Sequence, residues 1–304
     1  MNTENHLSIT FHVFMRSLKN IALLFSLPCK NFIKLPPQNT FPLKAKKSYG
    51  QHFLTNEATS QKIAYSLLKN PGGKNVLEIG PGKGMLTKYL LEQDIHLKVI
   101  EADRDMVDYL NEHFPKLADD IIFLDFLKTN MYKVFDGEPF YVIGNFPYNI
   151  SSQIVFKIIN AKEIVPEMVG MFQKEMAERI IAPPGSKTYG VISVLTQAYY
   201  TGTMLMKIPP GAFNPPPKVD SAVIRLTRKE NFELNCNEKL FRTVVKMAFN
   251  SRRKMMRNTL KPLVNDPELL KDEIFEMRPE QLSVQQFEAL TAKIDKQTNY
   301  ESGD

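Results

Sequence analysis

Residues 143–151 read IGNFPYNIS: a short apolar strand that ends in an amide, two aromatic rings around a proline, and a second amide. A plain turn needs no such set, because one Gly or an Asp-Gly pair reverses the chain at less cost. The chemistry this set allows is the holding of a planar base. The Asn145 side chain and the adjacent backbone carbonyl can accept hydrogen bonds from an exocyclic amine, while Tyr148 stacks on the ring face and Pro147 stiffens the turn between them. Accepting both amine protons localises the nitrogen lone pair toward an electrophile, so no strongly basic residue is required. A strand-ending turn with a structural aromatic would use the same letters, so the stretch needs company.

Company is found at the ends of other apolar runs. LEIGPGKG places Gly80, Gly82 and Gly84 at a strand-to-helix turn, where missing side chains let a ligand approach the backbone. The spacing is G-x-G-x-G, which differs from the G-x-G-x-x-G of dinucleotide binders. Glu101 ends the next run about twenty residues later, a position from which an acid bonds ribose hydroxyls or simply faces water. Asp125 ends the third run, where a carboxylate can accept a bond from an adenine amine, and Asn145 ends the fourth. Together they predict a pocket for a nucleoside without a phosphate, since Lys83 is the only cation in the first turn and no G-K-[ST] follows.

The elements that must position these groups alternate. NVLEIG, HLKVIEAD, IIFLD and FYVIGN are short buried runs, with helical periodicity over 85–91 and 106–114 in the first two gaps and an earlier helix carrying Ile63, Leu67 and Leu68 that NPGG stops. Strands alternating with helices predict an α/β fold with a parallel, doubly wound sheet. Two further strands are expected at MVGMFQ and SAVIRLTR, with a helix at VISVLTQAYY between them. After a polar linker near 228–235 only helical patterns remain. The division expected is a basic, apolar extension over 1–44, a sheet domain over 45–230 and a small all-helical domain over 231–304. For the extension, a disordered arm, translated upstream sequence or a targeting peptide are the competing readings, with the first two favoured because no small-residue cleavage site follows its apolar run.

Composition sets the bounds. The 304 residues are 43% apolar and 24% charged, which fits a globular protein and no membrane span, and the net charge of +6 allows a polyanionic partner. Cys29 and Cys236 lie in different segments and build no disulfide framework, and no Cys/His/carboxylate cluster has metal-ligand spacing, so a reducing compartment and no metal are expected. Arg242, Lys246, Arg253 and Arg257 recur at spacings of four, seven and four, with Arg252 and Lys254 beside them. On one continuous helix they would share a face, either merely solvated or placed against phosphates.

In this order, EIGPGKG, VIEADRD, GNFPYNIS, FNPPPKVDSAV and FNSRRKMMRNTL closely resemble the bacterial KsgA-type ribosomal RNA adenine dimethyltransferases, from about Lys46 to beyond Leu260. The resemblance implies a Rossmann-like S-adenosylmethionine-dependent methyltransferase sheet with a small helical C-terminal domain. It also implies N6,N6-dimethylation of two adjacent adenosines near the 3′ end of small-subunit (16S) RNA, during small-subunit biogenesis. By the same resemblance the cofactor contacts fall on His52 and Leu54 of GQHFL and on Gly80, Gly82, Glu101, Asp125 and Asn145. Catalysis falls on Asn145, Pro147, Tyr148 and Phe213, the last sandwiching the base against Tyr148 unless it is a core aromatic, and RNA binding on Arg252, Arg253, Lys254 and Arg257. The family often has Asn at the position of His52, which is harmless if the contact is a backbone carbonyl. A cytoplasmic monomer acting on a partly assembled 30S-type particle is expected, with an organellar form left open by the basic extension. A large-subunit adenine methyltransferase and a non-catalytic RNA-binding assembly factor are the alternatives.

Overall fold

A computed structural model describes residues 51–67 and 74–300. The expected extension over 1–44, Cys29 and Leu68 lie outside these residues. In chain order the regular elements are β1 (Phe53–Leu54), α1 (Glu57–Ala64), β2 (Asn75–Ile79), α2 (Thr87–Leu90), β3 (His96–Glu101), α3 (Arg104–His113), β4 (Ile121–Phe123), β5 (Tyr141–Asn145), α4 (Ser151–Asn160), β6 (Glu167–Gln173), α5 (Lys174–Ile180), α6 (Val191–Tyr199), β7 (Tyr200–Ile208), β8 (Phe213–Asn214), β9 (Ser221–Arg228), α7 (Glu238–Phe249), α8 (Met256–Leu260) and α9 (Val284–Tyr300).

Seven strands form one sheet in the order β4-β3-β2-β5-β6-β9-β7. The first five are mutually parallel, whereas β9 runs antiparallel to both β6 and β7. Chain direction across the sheet reverses between β2 and β5, the point where open α/β sheets leave a crevice beyond the strand ends. The central strands β2, β3, β5, β6 and β9 are buried on both faces because their side chains alternate between two apolar clusters, whereas the edge strands β4 and β7 are partly exposed. In β5, Tyr141 and Ile143 face the cluster containing Ile63, Leu90 and Leu110 of α1 to α3, and Val142 faces the cluster containing Ile154 and Ile158 of α4. Phe241, Val244, Phe287 and Leu290 of α7 and α9 belong to the second cluster too, so the C-terminal helices share apolar contacts with the sheet.

The strand β7 was not expected. The helix of VISVLTQAYY ends at Tyr199 and the chain continues straight into an edge strand, with no Gly or Pro to mark the change. Pairing with β9 decides the conformation there, an effect of tertiary contact that local pattern does not carry. A second correction concerns the basic stretch. Helix α7 stops at Phe249, residues 251–254 form a turn, and Arg257 lies on the separate α8. Arg242, Lys246, Arg253 and Arg257 therefore do not share one helical face. The chain breaks because Met256 must be fully buried and its N–H bonds the Met277 carbonyl at 2.9 Å, which a continued helix would not allow.

Candidate active site

The polar strand ends surround a single cavity of about 580 Å³ beside the β2/β5 crevice, a size suited to a nucleoside-containing ligand. Its first wall is the turn after β2. Gly80 and Gly82 adopt φ of +66° and +54°, values in the left-handed region that a side chain resists. A Cβ on Gly82 would come within 3.0 Å of the Phe53 ring, whereas Gly80 has open space in that direction. The Gly80 requirement is thus conformational, and its bare surface is part of the cavity wall.

Glu101, at the end of β3, is 7% exposed and tightly held. Its Oε1 accepts the N–H groups of Ala102 and Asp103 at 2.8 and 2.9 Å, and its Oε2 accepts that of Gly82 at 3.2 Å. Burial pushes its carboxyl above the usual range, and the three N–H bonds pull against that shift. The carboxylate is fixed before any ligand arrives and ties the second strand end to the glycine turn. Asp125 lies on the same cavity just after β4, where its Oδ1 caps the following turn by accepting the Leu127 N–H at 2.9 Å.

Asn145 ends β5 and donates from Nδ2 to the backbone carbonyl of His52 at 2.9 Å. A carbonyl oxygen only accepts, so this bond decides which way the amide points: the Oδ1 is the end left for an incoming donor. The segment carrying His52 is itself pinned. β1 pairs with β8, matching Phe53 with Asn214 and Leu54 with Phe213, and the His52 ring bonds the Pro215 carbonyl from Nδ1 at 2.8 Å. Leu54 lines the cavity while its side chain is buried in the core.

After Asn145 the two aromatic residues of NFPY part company. The Phe146 ring is 1% exposed and meets Phe172 edge-on at 5.2 Å, resting over Gly144 and Gly170, so it presents main chain to the cavity. Tyr148 faces the cavity, its ring stacked on His52 with centroids 5.4 Å apart and 25° between planes. Its hydroxyl shares a 2.6 Å hydrogen bond with the fully buried Ser221 at the start of β9. Burial raises the phenol pKa, with that bond pulling the other way, so the group stays protonated and acts as a surface, not as a base. Phe213 does not stand opposite Tyr148. It is 4% exposed within the apolar cluster under β1, and the ring seen against Tyr148 is that of His52.

Two further residues contribute, each with little or no signal in the sequence. Glu78, in β2, is 1% exposed on the cavity wall, with Oε2 accepting the Thr87 hydroxyl at 2.6 Å, and burial pushes its carboxyl up to about 8. An acid inside the otherwise apolar run NVLEIG was the available signal. Ser221 had no signal, because its role exists only through Tyr148.

The basic residues fall into two groups. Arg252 donates to the Ser186 carbonyl at 3.0 Å and lies near Glu280, and Arg257 pairs with Glu276 at 3.5 Å. Arg253 and Lys254 are exposed on the turn, and no ion pair among the described residues engages them. No helix among the described residues is long and apolar enough to cross a membrane.

The model of the family described as ribosomal RNA adenine dimethylase matches residues 42–295. The chain belongs to that family. Among adenine dimethylase relatives, the ribosomal RNA small subunit methyltransferase A of Flavobacterium johnsoniae is 53% identical over 83% of this chain and 97% of its own. Its counterpart in Bacteroides thetaiotaomicron is 52% identical over 84% and 95%. Among solved structures, a dimethyladenosine transferase from Plasmodium falciparum aligns with TM-score 0.70 and 26% identity over 81% of this chain and 98% of its own. The 23S rRNA methyltransferase ErmE aligns with TM-score 0.59 and 25% identity over 79% and 99%. The cofactor of this adenine dimethylase is S-adenosylmethionine. The cavity suits it in this chain's own terms, with a bare glycine turn for close approach, the fixed Glu101 carboxylate for hydroxyls and, among the described residues, only Lys83 and Lys128 as lysine or arginine side chains in its lining.

Proposed function

We propose that this protein dimethylates, at N6, two adjacent adenosines near the 3′ end of small-subunit ribosomal RNA. The observation that carries the reading is the fixed amide of Asn145, whose acceptor oxygen is presented beside the Tyr148 ring at the cavity. The cofactor, when bound, supplies a methyl group already activated on a sulfonium. Asn145 Oδ1 accepts one proton of the target amine. The Phe146 carbonyl would accept the other, since the Pro147 carbonyl is already engaged by the Ile150 N–H and the Ser151 hydroxyl. These bonds aim the nitrogen lone pair and Tyr148 holds the base plane, so that on transfer the nitrogen would take the methyl group and give up a proton to solvent. Positioning supplies most of the rate.

Gly80, Gly82, Glu101 and Asp125 would hold the cofactor, Glu101 through ribose hydroxyls and Asp125 through an adenine amine. His52 and Leu54 close that side, His52 through its backbone carbonyl. Arg253 and Lys254, with Arg252 and Arg257 behind them, meet RNA phosphates from the 231–304 region, which we take as the substrate-facing part beside the 45–230 sheet domain. The substrate is a partly assembled small subunit in the cytoplasm, and the enzyme acts as a monomer. The 53% identity with a small-subunit enzyme over 83% of this chain supports this substrate, as does the higher TM-score with the dimethyladenosine transferase, 0.70, than with the 23S enzyme, 0.59.

The test is mass spectrometry of RNA from small subunits lacking the modification, after incubation with the protein and methyl-labelled S-adenosylmethionine. Dimethyladenosine at two adjacent 3′ positions is the expected result. Cofactor binding without methylation would move the function toward another RNA or toward assembly.

A further inference from the structure

His52 holds three separate parts of the site at once. Its backbone carbonyl takes the Asn145 amide, its Nδ1 bonds the Pro215 carbonyl, and its ring lies on Tyr148. The opposite end of Tyr148 is fixed by Ser221. A base cannot enter between the two rings as they stand, because intercalation needs about 7 Å, two stacking spacings of about 3.4 Å, and the centroids are 5.4 Å apart. A base stacked on Tyr148 while the two rings stay in contact would use the face turned away from His52, with His52 behind that platform.

We infer that the His52 imidazole is a positioning residue for the base, setting the plane of Tyr148 by stacking on its rear face while the same residue's carbonyl orients Asn145. This rests on the reading of Tyr148 as the platform for the target adenine. The backbone carbonyl survives any substitution, so the ring and the cofactor side of the site are separable. A platform that tilts loses the line between nitrogen and methyl, and misplacement on the scale of 1 Å costs about 10²-fold. The second transfer suffers more than the first, because the monomethylated amine is bulkier and offers one proton fewer to hold it.

The experiment compares wild type, His52→Ala and His52→Phe on small subunits that lack the modification, measuring cofactor affinity, kcat and the ratio of monomethyl to dimethyl product. For His52→Ala the expected result is cofactor affinity within about threefold of wild type, kcat lower by about 10-fold to 10²-fold, and accumulation of monomethyladenosine. His52→Phe keeps a ring but loses the Pro215 bond, and most of the rate and the dimethyl product should return. Equal losses in both variants would assign the effect to the Pro215 bond and overturn the stacking role. A gain in RNA affinity or rate in His52→Ala would also overturn it, by making the ring a plug on the face the base needs. Failure of the wild type to make any dimethyladenosine would instead remove the functional reading, and the inference with it.

Discussion

The cavity and the basic turn at 251–254 hold their functional groups in opposite ways. At the cavity, Glu101 and Asn145 are the last residues of strands, and their side chains are fixed by backbone N–H and C=O groups of neighbouring segments. On the basic turn, Arg253 and Lys254 project on long side chains between two helices, and their neighbours Arg252 and Arg257 are engaged by Glu280 and Glu276. Short side chains on strand ends resist displacement, which suits a reaction governed by alignment. Long, solvated cations adapt to a polyanion and supply charge without fixing an angle.

The largest effect that would break this contrast is at Asn145. Asn145→Ala should lower kcat by about 10²-fold to 10³-fold with RNA affinity nearly unchanged, by analogy with loss of a preorganised polar group at the reacting centre. Turnover near wild type in a methyl-transfer assay would end the assignment.

Next in size is the support beneath NFPY. A Cβ on Gly170 would meet the Phe146 ring at 2.4 Å and the Phe172 ring at 2.7 Å. Gly170→Ala should therefore destabilise the fold by about 1–3 kcal/mol, read as a lower Tm, and depress kcat because Phe146 sits between Asn145 and Pro147. An unchanged Tm would show that the site is not braced from below.

Glu78 gives a pH prediction. Its carboxyl rises from an ordinary 4.5 to about 8 in the folded protein, so the fold retains a proton that the unfolded chain has released between those values. Stability falls as pH climbs through that window. Glu78→Gln should flatten the dependence of Tm on pH between about 5 and 8, and parallel curves for the two proteins would refute it.

The smallest effects sharpen the other side of the comparison. Arg253→Gln and Lys254→Gln should each reduce the slope of log affinity against log salt by about 0.7–0.9, without a change in Tm. Arg252→Gln should reduce that slope by less, because its guanidinium is already engaged, and cost about 1 kcal/mol of stability, since the Ser186 carbonyl loses its donor. Equal slopes for all three variants would erase the distinction between engaged and free cations.

The same contrast explains what the sequence made legible. Strand ends announce themselves, because an apolar run that stops at Gly80, Glu101 or Asn145 gives both the element and the place of its last residue. The parallel core of the fold followed from that alternation, as did the position of the cavity. The edge strand β7 did not, because it follows a helix without punctuation and is chosen by pairing with β9. Ser221 and the ring of His52 were equally silent, since each acts through a residue 73 and 96 positions away respectively. The basic stretch misled because spacing implies a common face only while the helix continues, and burial of Met256 ended it.

One feature of β8 and β9 bears on how this chain can vary. The connection from Pro215 to Asp220 leaves from the carbonyl that His52 grips and arrives at the serine that Tyr148 grips. Both of its ends are thus moored to one stacked pair of rings. An inserted or deleted residue along it would shift a mooring point. Length is therefore something that natural or laboratory drift must preserve there.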